Sequence, residues 1–355
     1  MGNLREVYEN QNLVLEKYAK NGIKDIDLVY LWCDGNDEKF RRKKQSFLKG
    51  ITNLSNQVLN DCRFRDHDEL KYSLRSVQKF VPWVHHIYIV VDSQVPVWLN
   101  LAHPKITIVQ HSDIMPFDAL PSFNSMAMET CIHNIKGLSE YFIYGNDDVF
   151  FGGFVGPDYF FDLNGNPKVF VKKYSFKRRE LRPSNLELCN CYKSYVGNAV
   201  RFIANEFGAV YHCIPSHCFM ACRKSFRADF MKKYPNLFHN TVYSRFRCAN
   251  NFNQFVFDLY DNCLGRNKLY FNKTLGERIF ECVPNKKFPL SYYFLRLFCR
   301  KGMETTGGGF VLDDIAKYYP KLFCINDTEN LTDKQRQMNK QFLADFFPDK
   351  SYFEK

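Results

Sequence analysis

Short apolar runs alternate with amphipathic stretches over the first half of the chain. Mainly apolar runs of strand length cover 26–32, 87–91, 106–109 and 141–144. Stretches of helical type cover 4–20, 38–44, 70–80 and 126–135. Because buried runs that alternate with helices are typical of parallel sheets, the pattern predicts an α/β fold. We expect a mostly parallel, Rossmann-like sheet of the nucleotide-sugar transferase type, with helices on both faces.

The pattern becomes less regular after Gly152, and helical stretches return at 223–237, 250–265 and 332–347. We expect one elaborated domain in four parts. These are an N-terminal helix over 1–24, an α/β half for the nucleotide sugar and metal over 25–152, an inserted acceptor-side subdomain with a hairpin over 153–210, and a catalytic half over 211–355. The glycine-rich stretch 305–310 lacks the Gly-Lys-Ser/Thr ending of a phosphate loop, so we interpret it as a linker or acceptor loop.

Two adjacent carboxylates, Asp147 and Asp148, follow the apolar run 141–144. The carboxyl end of a buried parallel strand is where open α/β sheets bind ligands. Oxygen ligands at such a place suit Mg²⁺ or Mn²⁺, which carboxylates hold together with substrate phosphate. A solvated turn is the alternative interpretation, because Asn and Asp favour turns. Asp327 follows another apolar run and is a candidate further ligand.

The loop after the first apolar run carries Asp34, Gly35 and Asp37. Its carboxylates could accept hydrogen bonds from the base or ribose of a nucleotide, and a plain Asp-Gly turn is the alternative. Glu129 lies in the helical stretch 126–135. It would face the same cleft as Asp148 if that helix packs beside the site, whereas a solvated glutamate is the commoner case.

The composition bounds the class of protein. The chain has 355 residues, of which 17% are aromatic, so it can bury a large core. It contains no uncharged apolar run of 18 residues, and its first residues lack the apolar core of a signal peptide. We therefore expect a cytoplasmic protein, soluble or peripheral at the inner face of the cell membrane. The 13 cysteines are odd in number and lie in apolar contexts, which favours free thiols over disulfides, and the lack of CxxC spacing disfavours structural zinc.

The net charge of +11 indicates an anionic partner, and it is concentrated in one segment. Residues 168–182 carry seven basic side chains against one acidic side chain. A phosphorylated polymer or an anionic membrane surface would suit this segment, and a solvated basic face is the alternative. No nucleic-acid-binding motif accompanies it, so we expect no nucleic acid partner.

Four blocks of the chain together resemble the Stealth family. They are IDLVYLWCDGND (26–37), RFRDHDELKYSLRS (63–76), SFNS (122–125) and YFIYGNDDVFFG (141–152). Later stretches agree with the same family, at 217–235, 247–254, 321–327 and 347–354. Several blocks in the right order are far more specific than any single one. The family contains bacterial capsular polysaccharide phosphotransferases and the animal GlcNAc-1-phosphotransferase.

The resemblance implies transfer of a hexose-1-phosphate, of the N-acetylhexosamine type, from a UDP-sugar to an acceptor hydroxyl with release of UMP. The process it implies is capsular or exopolysaccharide synthesis. By matching motif, Glu129, Asp148, His217 and Arg247 fall on the family's catalytic positions. The implied partners are a nucleotide-sugar donor, a saccharide or growing phosphate-linked polysaccharide, and the membrane or the capsule assembly machinery.

These residue types suit phosphoryl transfer, which needs charge neutralisation, in-line positioning and removal of the acceptor proton. Asp147 and Asp148 can hold the metal, and Arg247 can clamp the phosphate. His217 has an ordinary pKa near 6.5 and is a natural general base, which Glu129 could orient or replace. We expect the donor to contact Asp34, Gly35, Asp37, Arg63, Asp66, Glu69, Arg75, Asn124 and Asn146. A metal-dependent glycosyltransferase that releases a nucleoside diphosphate and a carbohydrate- or polyanion-binding protein are the alternatives.

Overall fold

The computed structural model describes residues 4–49, 60–181, 192–271, 280–282, 309–329 and 331–355, so residues 305–308 of the glycine-rich stretch lie outside it. The strands are β1 (Ile26–Leu31), β2 (Ile87–Val91), β3 (Ile106–Gln110), β4 (Tyr141–Asn146), β5 (Val149–Phe151), β6 (Lys168–Lys173), β7 (Cys213–Pro215), β8 (Met220–Arg223), β9 (Lys268–Phe271), β10 (Phe280–Cys282) and β11 (Leu322–Ile325). The helices are α1 (Leu4–Lys20), α2 (Glu38–Leu48), α3 (Glu69–Phe80), α4 (His111–Ile114), α5 (Ser125–Cys131), α6 (Arg178–Leu181), α7 (Tyr192–Phe207), α8 (Lys224–Lys233), α9 (His239–Val242), α10 (Phe255–Cys263), α11 (Gly309–Tyr318) and α12 (Asp333–Phe346). Among these helices, none has the length and apolar character that a membrane span requires.

A five-stranded sheet in the order β3-β2-β1-β4-β8 forms the centre of the molecule. The pairs β1–β2, β1–β4 and β2–β3 are parallel, and β8 alone runs antiparallel to its neighbour β4. The carboxyl ends of four parallel strands therefore lie along one edge. This confirms the α/β fold with a mostly parallel sheet.

Both faces of the central sheet are covered by helices. Along β1, Leu28 and Tyr30 belong to one apolar cluster, while Val29 and Leu31 belong to another. The first cluster includes apolar residues of α3 and α12, and the second includes residues of α5, α7 and α10. Because successive side chains of a strand point to opposite faces, a strand that is buried at every residue, as β1 is, must be covered on both sides. The helices lie on both faces, as predicted.

Two smaller sheets flank the central one. Strand β5 pairs antiparallel with β11, which pairs with β10. Strand β6 pairs with β7 on one side and β9 on the other. Both partners of β6 lie after residue 210, so this strand joins a sheet with later segments, while an antiparallel bridge between Phe161 and Pro167 forms a short hairpin inside 153–210. The sheet links β6 directly to the segment that precedes His217.

Candidate active site

The Asn-Asp-Asp turn lies at the carboxyl end of β4, inside the central sheet. Asn146 is the last residue of that strand, and Asp147 and Asp148 lead into β5. The carbonyl of Asp148 accepts a hydrogen bond from the N–H of Ile325 at 3.0 Å. Since Ile325 is the last residue of β11, the turn is held between two sheets. Its carboxylates therefore have a fixed place at the strand ends.

Asp148, His217 and Cys324 form a compact cluster beside this turn. Nε2 of His217 lies 3.1 Å from Oδ1 of Asp148, and the Cys324 thiol donates to Oδ2 of Asp148 across 3.5 Å. One ligand atom from each residue lies within 4.8 Å of the other two, so the three groups could hold a divalent metal. The carboxylate suits Mg²⁺ or Mn²⁺, while imidazole and thiolate suit softer ions.

A second group of polar side chains continues from Asn146. Its Nδ2 atom lies 3.4 Å from Nε2 of His217, and its Oδ1 atom accepts from the Tyr144 hydroxyl at 2.7 Å. The same hydroxyl lies 3.1 Å from Oε1 of Glu129. Glu129 is only 7% exposed, and its backbone carbonyl accepts from buried Arg227 at 3.0 Å. Glu129 is therefore a held, buried carboxylate and not a solvated one.

A cavity of about 800 Å³ opens over these strand ends. Most of the predicted site residues line it together: Arg63, Glu69, Glu129, Asn146, Asp147, Asp148, His217, Arg247 and Asp327. Their elements are distant in sequence, since they come from both halves of the chain. The four residues that the family resemblance places at catalytic positions thus share one cavity wall.

On the acidic side of the cavity, carboxyl groups are buried close to one another, which disfavours their ionised forms. Burial, followed by the charges of Asp148 and Asp66, raises the pKa of Asp147 well above its ordinary value. Burial and the charge of Asp147 raise the pKa of Glu69 to about 8. Burial also raises the pKa of Asp66 to about 6. A bound cation would relieve this repulsion, so the charge distribution fits a metal site.

Three arginines, Arg63, Arg65 and Arg247, supply positive charge to the same cavity. Nη2 of Arg247 donates to Oγ of Ser125 at 2.5 Å, at the start of α5. Partial burial and the nearby charge of Arg247 lower the pKa of Arg63 to about 10, which leaves it protonated at neutral pH. Two arginines that are held near each other against their mutual repulsion suit a shared anionic ligand such as a phosphate.

Six other predicted donor contacts do not line the cavity. Asp34 and Asp37 shape the loop after β1: Asp34 accepts from the N–H of Asn36 at 2.8 Å, and Asp37 caps α2 by accepting from the N–H of Phe40 at 2.7 Å. Gly35 donates to the carbonyl of Phe64 at 2.5 Å, and a Cβ at position 35 would lie 2.4 Å from that oxygen. Only glycine fits there, so the loop residues have structural contacts.

Arg75 and Asn124 also have structural contacts away from the cavity wall. Arg75 binds Glu354 through two hydrogen bonds of 2.8 Å each. Buried Asn124 caps α5 and donates to Oδ1 of Asn251 at 2.9 Å. Asp66 accepts from the N–H of Asp68 at 3.2 Å, and its charge contributes to the raised pKa of Asp147 in the cavity wall.

Asp327 lines the cavity, but its carboxylate is already engaged by cations. Oδ2 lies 3.1 Å from Arg65, and Oδ1 lies 3.3 Å from Arg336. Although burial opposes it, hydrogen bonding to His67 and these arginine charges lower the pKa of Asp327. The structure therefore gives Asp327 an ion-pair network, whereas Cys324 takes the place near Asp148 that the sequence suggested for Asp327.

Four further residues of this site were not predicted from the sequence: Cys324, Tyr144, Ser125 and His111. Cys324 and Tyr144 stand inside apolar runs, where a thiol or a phenol normally indicates core packing. His111 follows β3, and its place at a parallel strand end was the one signal that could have found it.

The fold is the α/β fold with a mostly parallel central sheet that the sequence predicted. The family description "Stealth protein CR2, conserved region 2" matches residues 63–169. The chain is 33% identical over 343 residues to exopolysaccharide phosphotransferase cps2G of Lactiplantibacillus plantarum, which covers 93% of this chain and 96% of that protein. It is 34% identical over 334 residues to exopolysaccharide phosphotransferase SCO6023 of Streptomyces coelicolor, of which it spans about half, 52%.

A shorter match of 44% identity over 157 residues joins the chain to capsular polysaccharide phosphotransferase fcs1 of Haemophilus influenzae, covering 44% of this chain and 43% of that protein. Among solved structures, galactosyltransferase LgtC in complex with donor and acceptor sugar analogs aligns over 90% of this chain and 96% of that chain, at 10% identity and a TM-score of 0.39. That structural likeness is too low to support an inference about function. The sequence matches are sufficient: the chain belongs to the Stealth family, and it is an enzyme.

Proposed function

We propose that this enzyme transfers a sugar-1-phosphate from a nucleotide sugar to a hydroxyl of a saccharide acceptor during capsular or exopolysaccharide synthesis. The observation that carries the proposal is the cavity that acidic residues, two imidazoles and three arginines line together. This combination suits phosphoryl transfer, because it offers cation binding, anion binding and a proton acceptor together. The relatives named as exopolysaccharide phosphotransferases support the same process.

In the proposed reaction, the acceptor oxygen attacks the phosphorus that bears the sugar. The bond from that phosphorus to the bridging oxygen breaks, and the nucleoside monophosphate leaves with the electron pair. We assign removal of the hydroxyl proton to His217, with Glu129 as the alternative acceptor of that proton. For a UDP-N-acetylhexosamine donor, the products are UMP and a phosphodiester-linked sugar.

We assign Mg²⁺ or Mn²⁺ binding to Asp147 and Asp148. When bound, such an ion neutralises negative charge on a pyrophosphate. The raised pKa of Asp147 supports this assignment, because burial and the charge of Asp148 disfavour its ionised form without a cation. In the same scheme, Arg247 and Arg63 bind the oxygens of the phosphate that moves.

The shape of the cavity supports one orientation of the donor. Leu31 of β1 and Val90 of β2 line it, as does His111 after β3. Neighbouring strands lie about 4.8 Å apart, so β3 is about 14 Å from β4 along the edge. Burial lowers the pKa of His111 to about 4, which keeps the imidazole neutral at neutral pH. The end that carries Leu31, Val90 and a neutral imidazole, where Asp92 is paired with Lys43 at 2.7 Å, suits the nucleoside base, while the acidic end at β4 suits the pyrophosphate with its metal.

Asp148→Asn tests the metal assignment. We expect kcat to fall by about a thousandfold or more, since an ion that loses a carboxylate ligand stabilises the developing charge less well. Chromatography of the released nucleotide measures this, with and without EDTA and with Mg²⁺ or Mn²⁺ added back. Asp345→Asn is the control, because that exposed carboxylate on α12 accepts from Gln341 of its own helix at 2.9 Å and, within the described residues, is absent from the cavity wall. Full turnover in a metal-free preparation would contradict the assignment.

A further inference from the structure

Tyr144 lies between Glu129, the alternative proton acceptor of the proposed reaction, and Asn146, which lies beside His217. It is the fourth residue of β4, it is 2% exposed, and its ring belongs to the apolar cluster on one face of the sheet. Its hydroxyl is 2.7 Å from Oδ1 of Asn146 and 3.1 Å from Oε1 of Glu129. A single buried hydroxyl therefore joins β4 to a carboxylate of α5.

A phenol has one proton to donate, and two acceptor oxygens share it here. Burial, and then the negative charge of Glu129, raise the pKa of Tyr144, so the hydroxyl keeps its proton throughout the neutral range. Oδ1 of Asn146 and Oε1 of Glu129 are thus held at a fixed separation by a donor that does not ionise. Buried polar groups of this kind lose free energy when their partner is removed.

The contact also sets the direction of the Asn146 amide. Because Oδ1 accepts from Tyr144, Nδ2 is the atom that faces Nε2 of His217, at 3.4 Å. Nε2 of His217 is in turn 3.1 Å from Oδ1 of Asp148. A continuous series of contacts therefore runs from Glu129 through Tyr144, Asn146 and His217 to Asp148.

We propose that Tyr144 is a positioning residue, which fixes Glu129 and Asn146 as one unit and thereby holds His217 in place beside Asp148. Tyr144 touches no reacting atom in this scheme and acts through its two neighbours. The expected effects of Tyr144 on the rate rest on the proposed function. The contacts of Tyr144 with Glu129 and Asn146 do not depend on that function.

Tyr30 offers a matched control on the adjacent strand. It pairs in register with Gly145, it is completely buried, and its hydroxyl lies 2.7 Å from Oγ of Ser73. Tyr30 and Ser73 are absent from the cavity wall. Tyr30→Phe therefore removes the same chemical group from the same sheet without touching the series of contacts.

We expect Tyr144→Phe to lower kcat by about 10- to 100-fold, the effect of losing one hydrogen bond to a charged group, while KM for the donor changes by less than about twofold. Tyr30→Phe should lower the midpoint of chemical unfolding about as much as Tyr144→Phe does, but it should leave kcat within about threefold of the original. Equal kcat values for the two variants would overturn the proposal.

A double-mutant cycle with Asn146→Ala tests the route. If Tyr144 acts through Asn146, Tyr144→Phe should lower kcat by no more than about twofold once Asn146 is already alanine. Two effects that multiply in full would show that Tyr144 and Asn146 act separately, and the proposal would then be wrong. The cycle compares variants with each other, so it does not depend on which donor sugar is used.

A structural readout separates this inference from the proposed function. In an NMR spectrum of the intact chain, the side-chain amide signals of Asn146 should shift in Tyr144→Phe and stay in place in Tyr30→Phe. Unchanged Asn146 signals in Tyr144→Phe would contradict the inference even if the enzyme releases UMP. Shifted signals in an enzyme that releases UDP would support the inference and contradict the proposed function.

Discussion

At the scale of single residues, the structure distinguishes two histidines that lie five positions apart. His217 lines the cavity with Nε2 3.1 Å from Asp148, whereas His212 is exposed and its backbone carbonyl accepts from the N–H of Tyr174 at 2.9 Å. Only the former can reach a substrate in the cavity. This supports the register of the motif block that begins at residue 217.

We expect His217→Ala to lower kcat by about 10²- to 10⁴-fold, because a positioned general base contributes that much to proton transfer. Binding of the donor nucleotide should persist, and calorimetric titration with UMP measures it. His212→Ala is the control and should keep nearly full turnover. If His212→Ala loses turnover while His217→Ala keeps it, the general base has been assigned to the wrong histidine.

Residue types explain which members of the site the sequence could predict. Asp148 and His217 are polar residues within recognisable blocks, so the resemblance was enough to select them. Cys324 and Tyr144 look like core residues, and only the pairing of β11 with β5 and the packing of α5 on the sheet bring them to the site. Arg75 is the opposite case. Its motif suggested a contact with the donor and gave no sign of Glu354, the partner that lies 279 positions away.

At the scale of elements, the Arg75–Glu354 pair fastens the end of the chain to α3. Arg75 also donates to the carbonyl of Phe347 at 2.8 Å, at the end of α12. The two side chains are 15% and 6% exposed, so the pair is largely shielded from water. A two-pronged contact in such surroundings orders the last segment, which carries apolar residues of the core such as Phe347 and Phe353.

Glu354→Gln should lower the free energy of unfolding by about 2–4 kcal/mol at pH 7, because it leaves a buried guanidinium with a neutral partner. Although burial opposes it, hydrogen bonds from Arg75 and Ser351 lower the pKa of Glu354 in the folded state. The contribution is therefore complete above the unfolded pKa of about 4.3 and is lost as the pH falls through the lower folded value.

Chemical unfolding at a series of pH values measures the gap in free energy of unfolding between the original protein and Glu354→Gln. The gap should narrow below about pH 4 and close when Glu354 is protonated in both states. Glu38→Gln is the control, because the Arg42–Glu38 pair is 78% and 68% exposed and should contribute almost nothing. A gap that stays constant down to pH 2 would contradict the assigned role of the pair.

Elements were easier to predict than their partners. The apolar runs located β1 to β4, and the helical spacing located α1, α3 and α12, because periodicity is a local property of the chain. The partners of β6 could not be predicted, since β7 and β9 are separated from it by at least one helix each. Strand pairing between distant segments depends on tertiary packing, which a local pattern does not encode.

At the scale of the whole molecule, charge is divided between the cavity and the surface. Acidic residues gather at the end of β4, while the basic segment begins in β6. Lys173 lies opposite Cys213 on β7, four residues before His217, which corresponds to about 13 Å of extended chain. A polyanionic acceptor that reaches the cavity would thus pass close to exposed lysines.

Changing Lys172, Lys173 and Lys177 together to Gln should raise KM for a phosphate-bearing acceptor about tenfold at low salt, with a smaller effect at high salt. KM for the donor should change little. The control changes Lys17, Lys20 and Lys24 to Gln, which removes the same charge from the exposed surface of α1 and the loop after it. Equal acceptor KM values for the two triple variants would mean that the basic segment is a solvated face that does not bind the acceptor.

The fate of the sugar-bearing phosphorus tests the central claim most directly. A UDP-N-acetylhexosamine donor with a radioactive phosphorus at the β position is incubated with the enzyme, an acceptor saccharide and Mg²⁺ or Mn²⁺, and the products are separated. Transfer of sugar-1-phosphate predicts that the label enters the saccharide as a phosphodiester while unlabelled UMP is released. Sugar transfer that leaves the label in UDP would contradict the account.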